Sequence, residues 1–202
     1  MVRPPFSAKV LLPGATWRQD STSKDVFVTF DDGPVPEITP WVLDEADRWH
    51  AKLTFFCVGE NVYKNADLFQ EIIARGHRVG NHTYNHIRAW KEDKKTYFDN
   101  IDKAAHLIKS SLFRPPHGEL YPWYIKQMKR KFEKVVMWDV LCKDYDGQLA
   151  PSQVYDNVKN NIRPGSIIVF HDSLKAEKNM KYAFPKTLEL IAQKGLTTRV
   201  IK

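Results

Sequence analysis

The sequence contains few cysteines and no long apolar segment. Its two cysteines, Cys57 and Cys142, are too few for a disulfide framework and neither belongs to a C-x-x-C pair, so we expect free thiols. No apolar run is long enough to cross a membrane, and the N-terminal stretch "MVRPPFSAKVLLPGATWRQD" lacks the apolar core of a signal peptide. We therefore expect a soluble, cytoplasmic chain with no membrane span, or an exported chain whose N-terminal segment has been removed.

The sequence also lacks a concentrated basic segment, although its formal net charge is +7. Lysines and arginines are scattered through stretches such as "KEDKKTYFDN" and "KQMKRKFEK", which are typical of solvated helix faces. There is no RNA-binding aromatic motif and no helix-turn-helix motif, so nucleic acid is not an expected partner. The 202 residues suit one domain, with residues 1–25 as an N-terminal extension packed on it, and we expect a monomer.

Strand-like apolar runs alternate with helical patterns along the chain. The predicted strands are 26–30, 53–58, 77–81, 112–114, 134–140, 166–170 and 196–200. The predicted helices are approximately 39–49, 66–75, 93–110, 122–131, 152–161 and 185–194. This alternation is typical of β–α–β units and a parallel sheet. A closed or nearly closed parallel β/α barrel fits, with a doubly wound sheet as the alternative. In both, the active site lies at the C-terminal ends of the strands.

Ionisable side chains collect at the ends of five predicted strands. They are Asp31 and Asp32 in "VTFDDGP", His82 and His86 in "NHTYNH", Arg114 in "RPPHG", Asp139 and Asp144 in "WDVLCKDYD", and His171 and Asp172 in "FHDS". Each stretch taken alone is commonly a turn or a polar surface. Because the strand ends of a parallel sheet share one rim, their coincidence indicates a functional site.

The histidine pair predicts a metal site. His82 and His86 are spaced so that both imidazoles can bind one ion, and a carboxylate from another strand end would complete a set of three ligands. Three protein ligands leave positions open for water and substrate, as in catalytic zinc sites. Neighbouring residues on a strand point to opposite sides, so we expect one of Asp31 and Asp32 to bind the metal and the other to act as a base.

Two further residues fit hydrolytic chemistry. Arg114 precedes Pro115 and Pro116, which restrict its backbone, and a guanidinium fixed in this way can orient a carboxylate. His171 follows the apolar run "SIIVF", and a histidine that the metal does not need is suited to be a general acid.

With these residues assembled, the chain resembles the polysaccharide deacetylases of carbohydrate esterase family four, the NodB-homology domain. "TFDDGP", "HTYNH", "RPPHG", "WDVLCKDYD" and "VFH" are similar to the five motifs of that family, in order, from about Val26 to the C-terminus. The resemblance implies a distorted (β/α) barrel with about seven parallel strands. It also implies a hydrolase of carbon–nitrogen bonds other than peptide bonds, which removes acetyl groups from N-acetylated sugars.

The resemblance also implies a role for each residue of the site. Asp31 is the base, and Arg114 orients it. Asp32, His82 and His86 hold one divalent metal ion, for which we expect Zn²⁺, with Co²⁺, Ni²⁺ or Fe²⁺ as alternatives. His171 is the acid. The residues assigned to the oxyanion or the substrate are His117, through its backbone N–H, and Thr83, Tyr145 and Val169.

Several positions depart from the pattern of the family. His117 stands where tyrosine is usual, Tyr145 where tryptophan is usual, and Val169 where leucine is usual. Leu141 occupies a position where many members carry an aspartate that tunes the acid histidine. Asp139, which is on the same strand face, and Asp144 are both candidates to replace it.

The expected substrate is a glycan that contains N-acetylhexosamine, such as peptidoglycan or a chitooligosaccharide. The alternatives are an O-acetyl esterase on the same fold, a non-haem iron enzyme, because two histidines and one carboxylate also bind Fe²⁺, and an inactive glycan-binding module.

Overall fold

The computed structural model describes residues 2–20 and 22–202. The strands are β1 (Ala15–Thr16), β2 (Asp25–Asp32), β3 (Thr54–Cys57), β4 (Arg78–Asn81), β5 (Leu112–Phe113), β6 (Lys134–Val136), β7 (Val140–Leu141), β8 (Ile167–His171) and β9 (Thr197–Thr198). The α-helices are α1 (Phe6–Leu11), α2 (Thr39–Arg48), α3 (Gly59–Lys64), α4 (Ala66–Ala74), α5 (Lys94–Leu107), α6 (Ile125–Lys131), α7 (Pro151–Lys159) and α8 (Glu177–Gln193). Two short 3₁₀ turns, Pro116–Gly118 and Pro122–Tyr124, follow β5.

The strands form one parallel sheet in the order β1-β6-β5-β4-β3-β2-β8-β7, and β9 pairs with the start of β2. β2 lies between β3 and β8, with Asp31 opposite Phe56 on one side and His171 on the other. The predicted distorted parallel β/α barrel is confirmed, although the sheet contains more strands than the seven expected.

The predicted strand 134–140 is wrong in its extent, because it is two strands at opposite ends of the sheet. β6 pairs with β1 and β5, whereas β7 pairs with β8. Between them, the N–H of Met137 donates to the carbonyl of Thr16, and that of Asp139 donates to the carbonyl of Ile167. Residues 137–139 therefore link the two ends of the sheet. Since three residues reach at most ~10 Å, those ends lie close together.

Side-chain alternation along β2 separates two faces of the sheet. Val26, Val28 and Phe30 pack in the main core with residues of the surrounding helices. Phe27, on the other face, belongs to a smaller cluster that fills the inside of the barrel, with Phe56, Leu112, Val136, Ile167 and Ile201. Because side chains repeat every two residues, Thr29 and Asp31 share the inner face with Phe27. The inner face of the barrel thus carries apolar side chains at the start of β2 and an ionisable side chain at its end.

The last helix begins earlier than predicted. α8 starts at Glu177, and Pro185, the predicted first residue, lies inside the helix. An internal proline removes one helical hydrogen bond and typically costs ~3 kcal/mol. The buried residues on both sides of it, including Met180, Phe184 and Leu188, pack against the sheet and outweigh this cost.

The N-terminal segment contacts both ends of the sheet. Leu12 and Trp17 pack with Phe113 and Val135 in a second core cluster. The carbonyl of Val2 accepts a hydrogen bond from the N–H of Leu141 at 2.9 Å. Met1 and Ser21, which belong to the predicted extension 1–25, lie outside the described residues.

Both cysteines are buried and free, as predicted. Among residues 2–20 and 22–202, no helix combines the length and the apolar character needed to cross a bilayer.

Candidate active site

The two carboxylates at the end of β2 face the same side. The two-residue period directs Asp31 into the barrel, and Asp32 leaves the extended conformation with a φ of 89°. As a result, Asp31 Oδ2 and Asp32 Oδ1 each lie 4.0 Å from Nε2 of His82. The expectation that these neighbours point to opposite sides is wrong at this position, because the positive φ of Asp32, the last residue of β2, breaks the alternation of the strand.

Asp32, His82 and His86 form a cluster that fits one metal ion. One ligand atom from each residue lies within 4.8 Å of the others, and Asp32 Oδ1 is 3.3 Å from His86 Nε2. Asp32 Oδ1 is buried and has no hydrogen-bond partner among the described residues. A buried carboxylate oxygen without a partner, beside two imidazole nitrogens, is a donor set that suits a divalent cation.

The protonation of these groups also suits a metal. Nδ1 of His82 donates to the carbonyl of Arg114 at 2.8 Å, which leaves the lone pair of Nε2 directed at the carboxylates. Burial lowers the pKa of His82 to about 4, so the ring is neutral at pH 7. Burial alone would raise the pKa of Asp32, but nearby histidines, foremost the charged His171, outweigh it and the pKa is lowered.

Arg114 holds Asp31 from inside the barrel. Its Nη1 donates to Asp31 Oδ1 at 2.6 Å and to Thr29 Oγ1 at 2.8 Å. The other nitrogens of the guanidinium donate to the carbonyls of Val136 and Met137. Arg114 is fully buried, and burial lowers its pKa while the charge of Asp31 opposes that effect. Five donors in a planar fork explain why arginine suits this position, since lysine could not reach all these acceptors.

His171 ends β8, where it lies opposite Asp31 of β2, and is held by Asp144. Its Nδ1 lies 2.7 Å from Asp144 Oδ1, and its backbone N–H donates to Asp144 Oδ2 at 2.7 Å. Burial opposes the charged imidazolium, but Asp144 outweighs it and raises the pKa of His171 to about 9. Asp139 instead accepts hydrogen bonds from Arg163 and Ser166. Of the two candidate tuning residues, only Asp144 contacts the histidine.

A cavity of about 490 Å³ joins these groups. Nine of the predicted site residues line it, namely Asp31, Asp32, His82, His86, Arg114, His117, Tyr145, Val169 and His171. His117 has a φ of 58°, and its ring lies 4.6 Å from that of His86. The ring of Tyr145 lies edge-on to His171 at 5.0 Å. Thr83 is fully buried and is not among the lining residues, so it does not face the cavity.

Several residues of the cavity were not predicted from the sequence, namely Trp138, Ser173 and Lys175. Leu141, which stands where many family members carry an aspartate, also lines the cavity. Trp138 lies in the link between β6 and β7, and an added Cβ at Gly118 would stand 2.4 Å from its ring. The sequence signal that could have indicated Trp138 is its position at the start of the stretch "WDVLCKDYD".

The fold and the site together define an α/β-barrel protein. At the C-terminal strand ends it carries two histidines and a carboxylate that could hold a metal, together with a carboxylate fixed by arginine and a histidine fixed by aspartate.

The comparisons with known proteins give the family. The family model described as polysaccharide deacetylase matches residues 18–134. A peptidoglycan-N-acetylglucosamine deacetylase of Bacillus cereus is 31% identical over 186 residues, which cover 89% of this chain and 87% of that protein. A second Bacillus cereus protein of the same name is 34% identical over 155 residues, which cover 74% of this chain and 56% of that protein. The match thus spans little more than half of this second relative.

A solved structure supports the same assignment. The crystal structure of a peptidoglycan N-acetylglucosamine deacetylase in complex with a benzamide ligand is similar, with a TM-score of 0.88 and 29% identity. The superposition covers 98% of this chain and 95% of that chain. The chain belongs to the polysaccharide deacetylase family, as the resemblance predicted, and the relatives carry the predicted enzyme class, polysaccharide N-deacetylase.

Proposed function

We propose that the protein is a metal-dependent hydrolase that removes the acetyl group from N-acetylhexosamine residues of a glycan and releases acetate and a free amine. The observation that carries this proposal is the set of groups that line one cavity. The cluster of Asp32, His82 and His86 shares that cavity with a carboxylate that can accept a proton, Asp31, and an imidazolium that can donate one, His171.

A divalent ion bound by Asp32, His82 and His86 would supply Lewis acidity, which activates water and polarises the acetyl carbonyl. Asp31 would accept the proton of the attacking water, with its carboxylate held in place by Arg114. The backbone N–H of His117, at the wall of the cavity, would donate to the oxyanion that forms on the carbonyl oxygen.

His171 would complete the reaction by protonating the sugar nitrogen. An amine is a poor leaving group until it is protonated, so cleavage of the amide needs an acid at this point. Because Asp144 raises the pKa of His171 to about 9, the ring carries its proton at neutral pH. This supports N-deacetylation over the O-acetyl esterase alternative, since a sugar alkoxide needs less assistance to leave.

For the substrate, we propose peptidoglycan N-acetylglucosamine first, because the two Bacillus cereus relatives bear that name. Chitooligosaccharides remain the second candidate. Zn²⁺ is the proposed ion, because three nitrogen and oxygen ligands with open positions are typical of catalytic zinc.

Acetate release under defined metals tests the proposal. Protein freed of metal by a chelator should release no acetate from N-acetylglucosamine oligomers or peptidoglycan fragments. Added Zn²⁺ or Co²⁺ should restore release at about one ion per chain. Asp139→Asn, which alters a buried aspartate outside the cavity, is the matched control for Asp32→Asn and should keep the metal.

Other outcomes separate the alternatives. Full activity in metal-free protein would contradict the proposal. Release from O-acetylated sugars alone would indicate an esterase, and substrate-dependent oxygen consumption would indicate an iron oxygenase. Glycan binding without acetate release would indicate a binding module.

A further inference from the structure

Asp172 directly follows the proposed acid His171, and its carboxylate is fully buried. Oδ1 accepts a hydrogen bond from the backbone N–H of Gly33 at 3.0 Å. Oδ2 accepts one from the hydroxyl of Thr39, the first residue of α2, at 2.6 Å. Both oxygens are therefore bound to the segment that follows β2, across the junction between β2 and β8.

The backbone of Asp172 makes a third contact with the same segment. Its N–H donates to the carbonyl of Asp31 at 3.1 Å. Asp172 thus binds the residue before Asp32 and the residue after it. These two points bracket the backbone torsions that set the direction of the Asp32 side chain.

Asp32 needs such support because its conformation is strained. Its φ of 89° lies in the region that favours glycine. A residue held in a sparsely populated region typically costs ~1–3 kcal/mol and persists only where the surroundings enforce it. This conformation turns the Asp32 carboxylate to the same side as Asp31, toward His82 and His86.

Close packing and a link to α2 make the contact rigid. An added Cβ at Gly33 would lie 1.9 Å from Asp172 Oδ2, so the carboxylate occupies the space of any side chain at that position. Thr39 donates to Asp172 and accepts the N–H of Val35 through the same hydroxyl. The contact therefore connects the turn after β2 to the start of α2.

A stabilising ion pair does not explain this aspartate. Among the described residues, no lysine or arginine forms a salt bridge with Asp172, unlike Asp31 and Asp139. Burial accordingly raises the pKa of Asp172 to about 7. A buried carboxyl group without a cation is costly to keep, which points to a role other than stability.

We propose that Asp172 is a positioning residue that clamps the Asp31–Gly33 turn and so holds the Asp32 carboxylate in place for the metal. This inference rests on the proposed metal site. It predicts that Asp172 acts on metal affinity through hydrogen bonds to Gly33 and Thr39, without touching the ion or the substrate.

Zn²⁺ affinity of metal-free protein, measured by competition with a chromophoric chelator, tests this inference without relying on activity. Asp172→Asn and Thr39→Val each remove part of the clamp, and we expect Zn²⁺ binding to weaken by ~10–100-fold, as for other outer-shell partners of metal ligands. Thr39→Ser keeps the hydroxyl and should restore the affinity.

The matched controls carry the same changes at buried positions away from the turn. Asp139→Asn alters a carboxylate bound to Arg163, and Thr187→Val alters a fully buried threonine of α8. Both should bind Zn²⁺ as the wild type does. Circular dichroism establishes that each variant is folded before its affinity is compared.

The outcomes distinguish the inference from the proposed function. Wild-type protein that binds no Zn²⁺ would overturn the proposed metal site itself. Wild-type binding with equal affinity in Asp172→Asn and Thr39→Val would overturn the clamp and leave the metal site intact. If Asp172→Asn does not fold, the pair at Thr39 decides, since equal affinity of the valine and serine variants would contradict the inference.

Discussion

Asp144 holds His171 through two hydrogen bonds, one to Nδ1 of the ring and one to the backbone N–H, each 2.7 Å long. The carboxylate therefore fixes the orientation of the imidazole and leaves its Nε2 free. Asp144 follows β7, and it takes the role for which the sequence offered Asp139 as an equal candidate. The acid and the residue that tunes it come from different strands.

The alkaline limit of activity should follow the pKa of His171. Asp144 raises that pKa from 6.5 to about 9, so the ring is protonated below pH 9 and loses its proton as the pH rises through that value. We expect kcat/KM for an N-acetylated substrate to fall on the alkaline side near pH 9. Asp144→Asn should move this limb to lower pH, because the charge that favours the imidazolium is lost.

Asp139→Asn is the control for this pH profile. Asp139 is a buried aspartate on the same stretch of chain, but it contacts Arg163 and Ser166. Its replacement should leave the alkaline limb unchanged. An equal shift in both variants would show that the net charge of the protein, and not the contact between Asp144 and His171, determines the pH of the alkaline limb.

Replacing Asp31 or Asp32 with asparagine should reduce activity for different reasons. Asp31→Asn should keep the metal and lose most turnover, because a general base typically contributes ~10²–10⁴-fold. Asp32→Asn should lose metal affinity first, because Asp32 supplies the carboxylate of the ligand cluster. Metal content and single-turnover rates of the two proteins separate the effects. If Asp31→Asn lost the metal while Asp32→Asn kept it, the roles assigned to the two aspartates would have to be exchanged.

His171→Ala should impair amide substrates more than activated esters. The amine leaving group of an N-acetylated sugar needs a proton, whereas an activated aryl oxide leaves without one. We expect a large loss of acetate release from N-acetylglucosamine oligomers and a small loss with an aryl acetate. Equal losses on both substrates would indicate that His171 positions the substrate or stabilises the oxyanion.

Arg114→Met should destabilise the fold as well as the site. The change leaves Asp31 as a buried charge without its partner, and breaking a buried ion pair in this way typically costs ~3–5 kcal/mol. Urea unfolding monitored by fluorescence measures the loss. Lys95→Met removes a cation from an exposed ion pair with Asp99 and should have no measurable effect. A similar midpoint for both variants would contradict the structural role of Arg114.

The sequence by itself determined the class of fold and most of the site. The alternation of strands and helices predicts a parallel barrel, and such a barrel brings all its strand ends to one rim. Residues at those ends, such as Asp31, His82 and His171, could therefore be grouped from the sequence alone. Patterns of this kind are local, because the alternation of side chains in a strand can be read from neighbouring residues.

Only the tertiary structure decided which residues meet. The sequence could not choose between Asp139 and Asp144, because the period of a strand assigns a face and not a partner. It could not show that 134–140 is two strands, since that depends on which strands each half of the segment pairs with. It also placed Thr83 among the substrate residues, whereas the structure buries this residue and leaves it out of the lining of the cavity.

The orientation of the Asp32 side chain is the clearest feature that only the tertiary structure determines. Strand alternation predicts that it points away from Asp31, yet a φ of 89° turns it to the same side. That conformation is unfavourable locally, so it cannot be inferred from the residues around it. The carboxylate of Asp172, which is 139 residues away from Gly33 in the chain, accepts the N–H of Gly33 and holds the turn in place. Contacts between residues so distant in sequence form only when β2 and β8 lie side by side in the sheet.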